Sequence, residues 1–200
     1  MRSTGAIVLL VLALVLGFAG CAGCGTYNGL VAADESVEQA WADVQTTYQR
    51  RADLIPNLVR TVEGAAEFER STLTEVTEAR ARATSINVSA DDLNDPEQLQ
   101  QYLEAQSALG GALGRLLAVA EAYPTLQSNQ NFLSLQDQLE GTENRINVAR
   151  TRYNEAVRGY NTDVRTFPAN IVAGMFGFDR RTPFEAEAGA ERAPDVEFDF

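Results

Sequence analysis

The segment NFLSLQDQLEGTENRINVARTRYNEAVRGYNTDVRTF, residues 131–167, decides the fold. A stripe of mostly apolar residues recurs in it at steps of three and four over five heptads: Phe132, Leu135, Leu139, Thr142, Ile146, Ala149, Tyr153, Ala156, Tyr160, Val164 and Phe167. This period predicts one long amphipathic helix that packs knobs-into-holes against partner helices. Pro168 ends the pattern, because proline cannot continue a helix.

Similar stripes predict two more long helices upstream. In residues 35–83 the stripe is Val37, Trp41, Val44, Tyr48, Ile55, Leu58, Val62, Ala65, Leu73 and Val76, with Arg51 and Glu69 as polar members. The next helix begins with Asp95 as N-cap and Pro96 at its first position, and runs to about Tyr123. Its stripe is Leu99, Tyr102, Gln106, Leu109, Leu113, Leu116, Ala120 and Tyr123. After it, Ser128 is positioned to cap the long helix of residues 131–167.

The predicted fold is therefore all-α. We expect an antiparallel bundle of three long helices plus a short C-terminal helical segment within residues 170–178, with an N-terminal membrane anchor. In domain terms, residues 1–25 form the anchor, 26–178 the helical bundle and 179–200 a flexible tail, since that tail is acidic and contains proline.

The anchor has two open interpretations. Residues 7–19 are an unbroken apolar run after Arg2, and no charge occurs between Arg2 and Asp34. The sequence Phe18-Ala19-Gly20-Cys21 resembles a bacterial lipobox, which would make Cys21 the lipidation site, with Cys24 as the second candidate. The alternative is an uncleaved transmembrane segment. Both place the bundle at a membrane of the cell envelope.

Composition excludes several functions. The net charge is −12, so a nucleic-acid surface is not expected. The chain has no His, and all of its basic residues are Arg, so nucleophile pairs and metal sites that use His are excluded, as is Schiff-base chemistry on Lys. We expect neither a catalytic site nor a cofactor.

One stretch, QRRADLIPNLV at residues 49–59, interrupts the pattern of the first helix. Either Asp53 caps a helix that restarts with Pro56 in its first turn, or one continuous helix is kinked. If the second helix runs antiparallel to the first, Arg50 or Arg51 lies near Glu121 or the carbonyls that end the second helix. Residues 35–52 would then project toward the membrane. The predicted structural joint comprises Arg50, Arg51, Asp53, Pro56, Asn57, Glu121, Tyr123 and Pro124.

Several short motifs occur in a fixed order along the chain: YNGLV (27–31), Trp41, RRADLIPNLV (50–59), EARA (78–81), AEAYP (120–124), the 132–157 segment of the long helix, FPANIVAGMFGF (167–178) and the VEFDF end. Through these motifs the chain resembles the LemA family from about Tyr27 to the C-terminus. The resemblance implies a helical bundle with an N-terminal membrane segment, and no particular chemistry.

Three functional hypotheses follow. The favoured one is a membrane-anchored, non-catalytic scaffold that binds an unidentified protein partner, with a homo-oligomer left open. The second is a binding module for a small ligand or hard cation between the helices. The third is a carboxylate-based enzyme that would use a polar face of the long helix, formed by Glu140, Glu143, Asn144, Arg145, Arg150, Tyr153 and Asn154.

Overall fold

The protein is built of helices. The computed structural model describes the backbone of residues 2–64 and 69–184, and the side chains of residues 23–64 and 69–184. The elements in these ranges are α1 (Arg2–Glu63), α2 (Arg70–Ser85), a 3-10 turn (Asp91–Asn94), α3 (Pro96–Ala120), α4 (Pro124–Gln127), α5 (Gln130–Arg165) and α6 (Ala169–Phe176). The predicted all-α class is confirmed, and α6 is the predicted short C-terminal helical segment.

The bundle contains four helices rather than the predicted three, because the first predicted helix is two. α1 ends at Glu63 and α2 begins at Arg70. The Arg80 side chain donates to the carbonyl of Ala52 at 2.8 Å, so α2 folds back antiparallel along α1. The apolar stripes of α1 and α2 continue at helical spacing across the break. The periodicity of the sequence therefore did not reveal that the helix ends there. Pro56, by contrast, lies inside α1 and does not end it.

The chain order gives an up-down-up-down topology. The Gln106 side chain donates to the carbonyl of Ala83, and Arg115 pairs with Glu75, so α3 is antiparallel to α2 and parallel to α1. Trp41 stacks at an angle on Tyr153, with ring centroids 5.5 Å apart, as α5 descends antiparallel to α1. The prediction that the helix ending at Tyr123 runs antiparallel to α1 is therefore wrong, since α2 lies between them in chain order.

The interior divides into two apolar clusters along the bundle axis. The distal cluster, near the α1–α2 hairpin, contains residues such as Ile55, Leu58, Val76, Leu109, Leu116, Phe132 and Leu139. The proximal cluster, nearer the N-terminus, contains residues such as Val37, Trp41, Tyr48, Tyr102, Ile146, Tyr153 and Phe184. Because Val37 and Trp41 are buried in it, residues 35–52 belong to the bundle and do not project from it as predicted.

Polar side chains cap the starts of α3 and α5. Asp95 accepts hydrogen bonds from the backbone N–H groups of Glu97 and Gln98, and Pro96 occupies the first turn, which confirms the predicted start of α3. At the start of α5 the cap is Asn129 and not Ser128, since the Asn129 side chain accepts from the N–H groups of Asn131 and Phe132. Gly177, with φ of +77°, ends α6 and redirects the chain.

The predicted anchor, residues 1–25, lies mostly outside the residues whose side chains are described, and Cys21 is among those outside. α1 is one uninterrupted helix from Arg2 into the bundle. Over the part of the chain whose side chains are described, none of the helices combines the length and the apolar character that crossing a membrane requires. Cys24 is described and is exposed.

Candidate functional site

A polar layer centred on Arg51 separates the two apolar clusters. Arg51 is only 4% exposed although it carries a full charge. Its guanidinium donates to the backbone carbonyl and the side-chain oxygen of Gln106, both at 2.8 Å, and to Glu143 Oε2 at 3.2 Å. It also lies 5.1 Å from the centre of the Tyr48 ring, a cation–π distance. The layer thus ties α1 to both α3 and α5.

The predicted contact of Arg51 with Glu121 is wrong. Arg51 binds Gln106, fifteen residues before Glu121 on α3, which is about 22 Å along a helix axis. The error follows from topology, because α3 is parallel to α1 and carries its C-terminus away from this level. Glu121 instead lines a distal groove of about 410 Å³ with Leu117, Gln127 and Leu133.

The other residues of the predicted joint do not gather around Arg51. Arg50, Asp53 and Asn57 are exposed, and Asp53 accepts a hydrogen bond from Gln49 one turn earlier instead of capping a new helix. Pro56 is partly buried within continuous α1. Tyr123 and Pro124 lie in the turn at the distal end of the bundle, away from Arg51. The QRRADLIPNLV stretch is therefore part of one continuous helix, and its distinctive feature is the buried cation of Arg51.

The predicted polar face of α5 is not one site. Tyr153 is fully buried, and its hydroxyl donates to the carbonyl of Thr182. Glu143 pairs with Arg51, and Arg150 lies over the ring of Phe184. Glu140 is exposed and accepts from Gln136. These side chains do not converge on one pocket.

Asn144 and Arg145, the remaining exposed members of that face, line an open groove of about 420 Å³ between α1 and α5. Opposite them on α1 lie Asp43, Thr46 and Thr47, and Val148 in the floor is 51% exposed. Arg152 completes the rim. The groove therefore offers an apolar floor between charges of both signs.

A C-terminal segment, residues 178–184, runs along the proximal part of α5 and is called the strap below. Asn161 exchanges two hydrogen bonds with the backbone of Arg181, and Asn154 does the same with the backbone of Phe184. The two asparagines are seven residues apart, about 10.5 Å on a helix, and three residues of extended chain span about 10 Å. This match holds the strap in register along α5.

Arg181 fastens the strap to α1 and to the 3-10 turn. It is 8% exposed, pairs with both carboxylate oxygens of Asp34 at 2.9 and 3.1 Å, and donates to the carbonyl of Ala90 and to Asn94. Phe184 is buried against Trp41 and Tyr153. The prediction of a flexible tail from residue 179 is therefore wrong for residues 179–184, while residues 185–200 lie outside the described part.

An apolar surface remains exposed at the proximal end. α6 packs through Ala173, yet Ile171, Met175 and Phe176 are 55%, 74% and 61% exposed. A groove of about 450 Å³ runs between α6 and α1, lined by Gly23, Cys24, Tyr27, Asn28, Val172, Met175 and Phe176. Phe167, 75% exposed, extends this apolar surface beyond α6.

Buried tyrosines make the fold sensitive to high pH. Burial raises the pKa of Tyr102 and of Tyr153 far above 10, and burial together with the Asp34 carboxylate raises the pKa of Tyr160 to about 12, against the opposing effect of Arg181. Folded-state pKa values above the unfolded value favour the neutral phenol, so this stability is complete below pH 10 and is lost as the pH rises through the folded pKa values.

We expect the free energy of unfolding to fall between pH 10 and pH 12, and the tyrosinate absorbance of the folded chain to lag behind that of the denatured chain. A spectrophotometric titration measures the lag, and Tyr160→Phe should remove the step near pH 12. Superimposable folded and denatured titration curves would contradict the burial argument.

Within the described residues, no group of three or more Asp, Glu or Cys is arranged to hold a metal ion. The fold and its polar contacts define a class: a four-helix bundle protein whose first helix also carries the N-terminal apolar run, with a buried arginine layer and a C-terminal strap. The sequence pattern of the LemA family matches residues 40–198, and the chain belongs to that family.

Relatives include two kinds of named protein. Magnetosome protein MamQ 2 of Paramagnetospirillum magneticum is 28% identical over 181 residues, covering 82% of this chain and 66% of the relative. Magnetosome protein MamQ of Magnetospirillum gryphiswaldense is 27% identical, with 77% and 62% covered. Protein LemA of Metamycoplasma hominis is 25% identical, with 74% and 64% covered. The chain spans just under two thirds of the length of the relatives it matches.

Proposed function

We propose that this protein is a membrane-anchored, non-catalytic helical scaffold that binds another protein. The observation that carries the proposal is the continuity of α1 from Arg2 to Glu63. A helix that bears the apolar run of residues 7–19 and then forms one wall of the bundle fixes the bundle rigidly at the membrane surface. A flexible linker would not do this.

The non-catalytic part of the proposal is supported by the contacts that the polar side chains of α5 make within the fold. Glu143, Tyr153 and Asn154, the strongest candidates for acid–base or hydrogen-bonding roles, each contact another element of the fold. Groups engaged in this way hold helices and strap together. A substrate would have to displace those contacts.

The α1–α5 groove is the surface we assign to the partner. Val148 provides an apolar contact, and Arg145 and Arg152 flank it on α5. An amphipathic helix with an apolar stripe and acidic residues beside it fits this arrangement. The MamQ relatives are named as magnetosome proteins of their own organisms, and the partner of this chain is specified here by chemistry alone.

Membrane attachment is tested first, with the full chain expressed in bacterial cells. The double substitution Leu10→Arg/Leu14→Arg should release the protein from the membrane fraction, since each charge costs about 2.5–3.5 kcal/mol at the centre of a membrane helix. Cys21→Ser should release it only if Cys21 is lipidated, and Cys24→Ser is the matched control. Protein that remains soluble without any of these changes would overturn the proposal.

Partner binding is tested by a photo-crosslinking residue at position 148 in native membranes, with the same residue at position 133 as control. Leu133 is also a partly exposed apolar residue of α5, at the distal end. The proposal expects a discrete adduct from position 148 that Arg152→Glu weakens. Adducts equal at both positions, or none at position 148, would remove the support for this groove.

A further inference from the structure

We infer that α6 is a second membrane contact, whose exposed apolar face lies in the boundary between the lipid headgroups and the acyl chains. This inference rests on the proposed membrane anchoring. It concerns Ile171, Met175 and Phe176, together with Phe167 and the groove that α6 forms with α1. The occupant is the lipid bilayer itself.

Position along α1 is the first argument. The apolar run ends at Ala19, and α6 contacts α1 around Gly23 and Tyr27, four to eight residues later. At 1.5 Å per residue this is about 6–12 Å along the helix axis. A hydrocarbon core of about 30 Å needs about 20 residues of helix, so a span built on this run ends close to the level of α6.

The composition of the segment is the second argument. Residues 166–178 carry no charge. Exposed Arg165 directly precedes the segment, and exposed Asp179 and Arg180 follow it. Interfacial helices bury an apolar face and keep basic side chains at the headgroups. Aromatic residues concentrate at the same depth, and Tyr27, Phe176 and Phe178 form a ring cluster with centroids 4.9 and 5.6 Å apart between α1 and the α6 region.

Exposure is the third argument. Ala173 is buried, so α6 already has an inner face packed on the bundle. On its outer face Ile171 and Met175 stay 55% and 74% exposed, and Phe176 stays 61% exposed although its ring contacts that of Tyr27. In water, adjacent exposed Ile, Met and Phe side chains would favour self-association or aggregation of the protein. At the surface that the anchor provides, the same side chains add to membrane affinity, because buried apolar area favours insertion.

The test places a fluorescent reporter on α6 of the full chain, reconstituted in phosphatidylcholine–phosphatidylglycerol vesicles with or without brominated acyl chains. In Met175→Trp, emission should fall by about half in brominated vesicles, because an interfacial helix face lies about 5–10 Å into the headgroup and acyl boundary. Ile171→Trp, one turn earlier on the same face, is the second reporter. The unsubstituted chain supplies the background of buried Trp41, its only tryptophan.

Leu133→Trp is the matched control at the distal end, and its emission should be unaffected by bromine. If the chain floats with the vesicles but neither α6 reporter is quenched, the inference is overturned and the anchoring proposal stands. Blue-shifted but unquenched α6 emission would also overturn it, in favour of a second copy or another protein on this face. A chain that does not float would overturn the anchoring proposal itself.

Discussion

Replacing Arg51 with methionine is expected to lower the free energy of unfolding by about 2–3 kcal/mol. Methionine fills much of the aliphatic volume but has no donor, so the side-chain oxygen of Gln106 loses its partner in a buried site. A buried polar group left unpaired costs about 1–3 kcal/mol, and the lost contact with Tyr48 adds to this. Glu143 contributes little, since it is 53% exposed and can be hydrated.

The Arg51 prediction has an internal control in its partner. Gln106→Leu alone should also destabilise, because the guanidinium then loses one of its acceptors. The double substitution Arg51→Met/Gln106→Leu should destabilise less than the sum of the two single substitutions, since replacing both partners by apolar groups removes the unpaired groups of the Arg51–Gln106 contact. The carbonyl of Ala83 loses its Gln106 donor in both variants that carry Gln106→Leu, so that loss cancels in the comparison. Such non-additivity is a coupling energy that only direct contact produces.

Urea unfolding monitored by Trp41 fluorescence measures these changes. Detergent micelles hold the N-terminal apolar run during the measurement. Arg50→Met is the matched control, because Arg50 is exposed beside Arg51, and it should change stability by no more than about 0.5 kcal/mol. Equal effects of the two substitutions would show that the polar layer contributes no specific stability.

The buried arginine illustrates how far the sequence could predict the site. Helical spacing identified Arg51 as a polar member of an apolar stripe, and the structure confirms that it faces the interior. The partners of Arg51 depend on which helices lie beside α1 and on whether each runs parallel or antiparallel to it. Periodicity carries no information on that orientation. The periodicity does not show the break between α1, which ends at Glu63, and α2, which begins at Arg70. The predicted direction of α3 is therefore inverted, and the predicted contact is with Glu121 instead of Gln106.

Periodicity served well where a helix is long and its stripe unbroken. In α5 the predicted stripe is buried from Phe132 through Tyr153. Further on, Val157 replaces Ala156 as the buried residue, Val164 is only partly buried, and Phe167, beyond the end of α5, is 75% exposed. Across α1 and α2 the same signal failed, because the apolar stripes of two separate helices can keep the spacing of one helix by chance. Gly64, a weak helix former after Glu63, was the available hint.

The strap had no periodic signal at all. Asparagines at 154 and 161 lie one heptad apart beside the apolar stripe of α5, and that spacing could have suggested a paired backbone segment. Instead, because the residues after 184 are rich in acidic side chains, the whole of residues 179–200 is predicted to be a flexible tail. Arg181 and Phe184 are held by contacts with residues from Asp34 to Asn161, which composition cannot reveal.

Arg181→Met is expected to detach the strap without unfolding the bundle. The substitution removes the charge-assisted bonds to Asp34 and the bonds to Ala90 and Asn94, so we expect a local loss of about 2–3 kcal/mol. At 1.4 kcal/mol per factor of ten, amide protection in the strap should fall by about 30- to 150-fold. The Phe184 N–H, bonded to Asn154, reports the change directly.

Hydrogen exchange of peptides from residues 178–184 and from α5 separates detachment from general unfolding. The strap peptide should lose protection, while peptides around Leu139 in the distal cluster should keep it, because no strap residue belongs to that cluster. Arg180→Met is the matched control, since Arg180 is exposed and adjacent. If both substitutions leave strap protection unchanged, Arg181 is not the fastening residue; if both clusters lose protection together, strap and bundle are one cooperative unit.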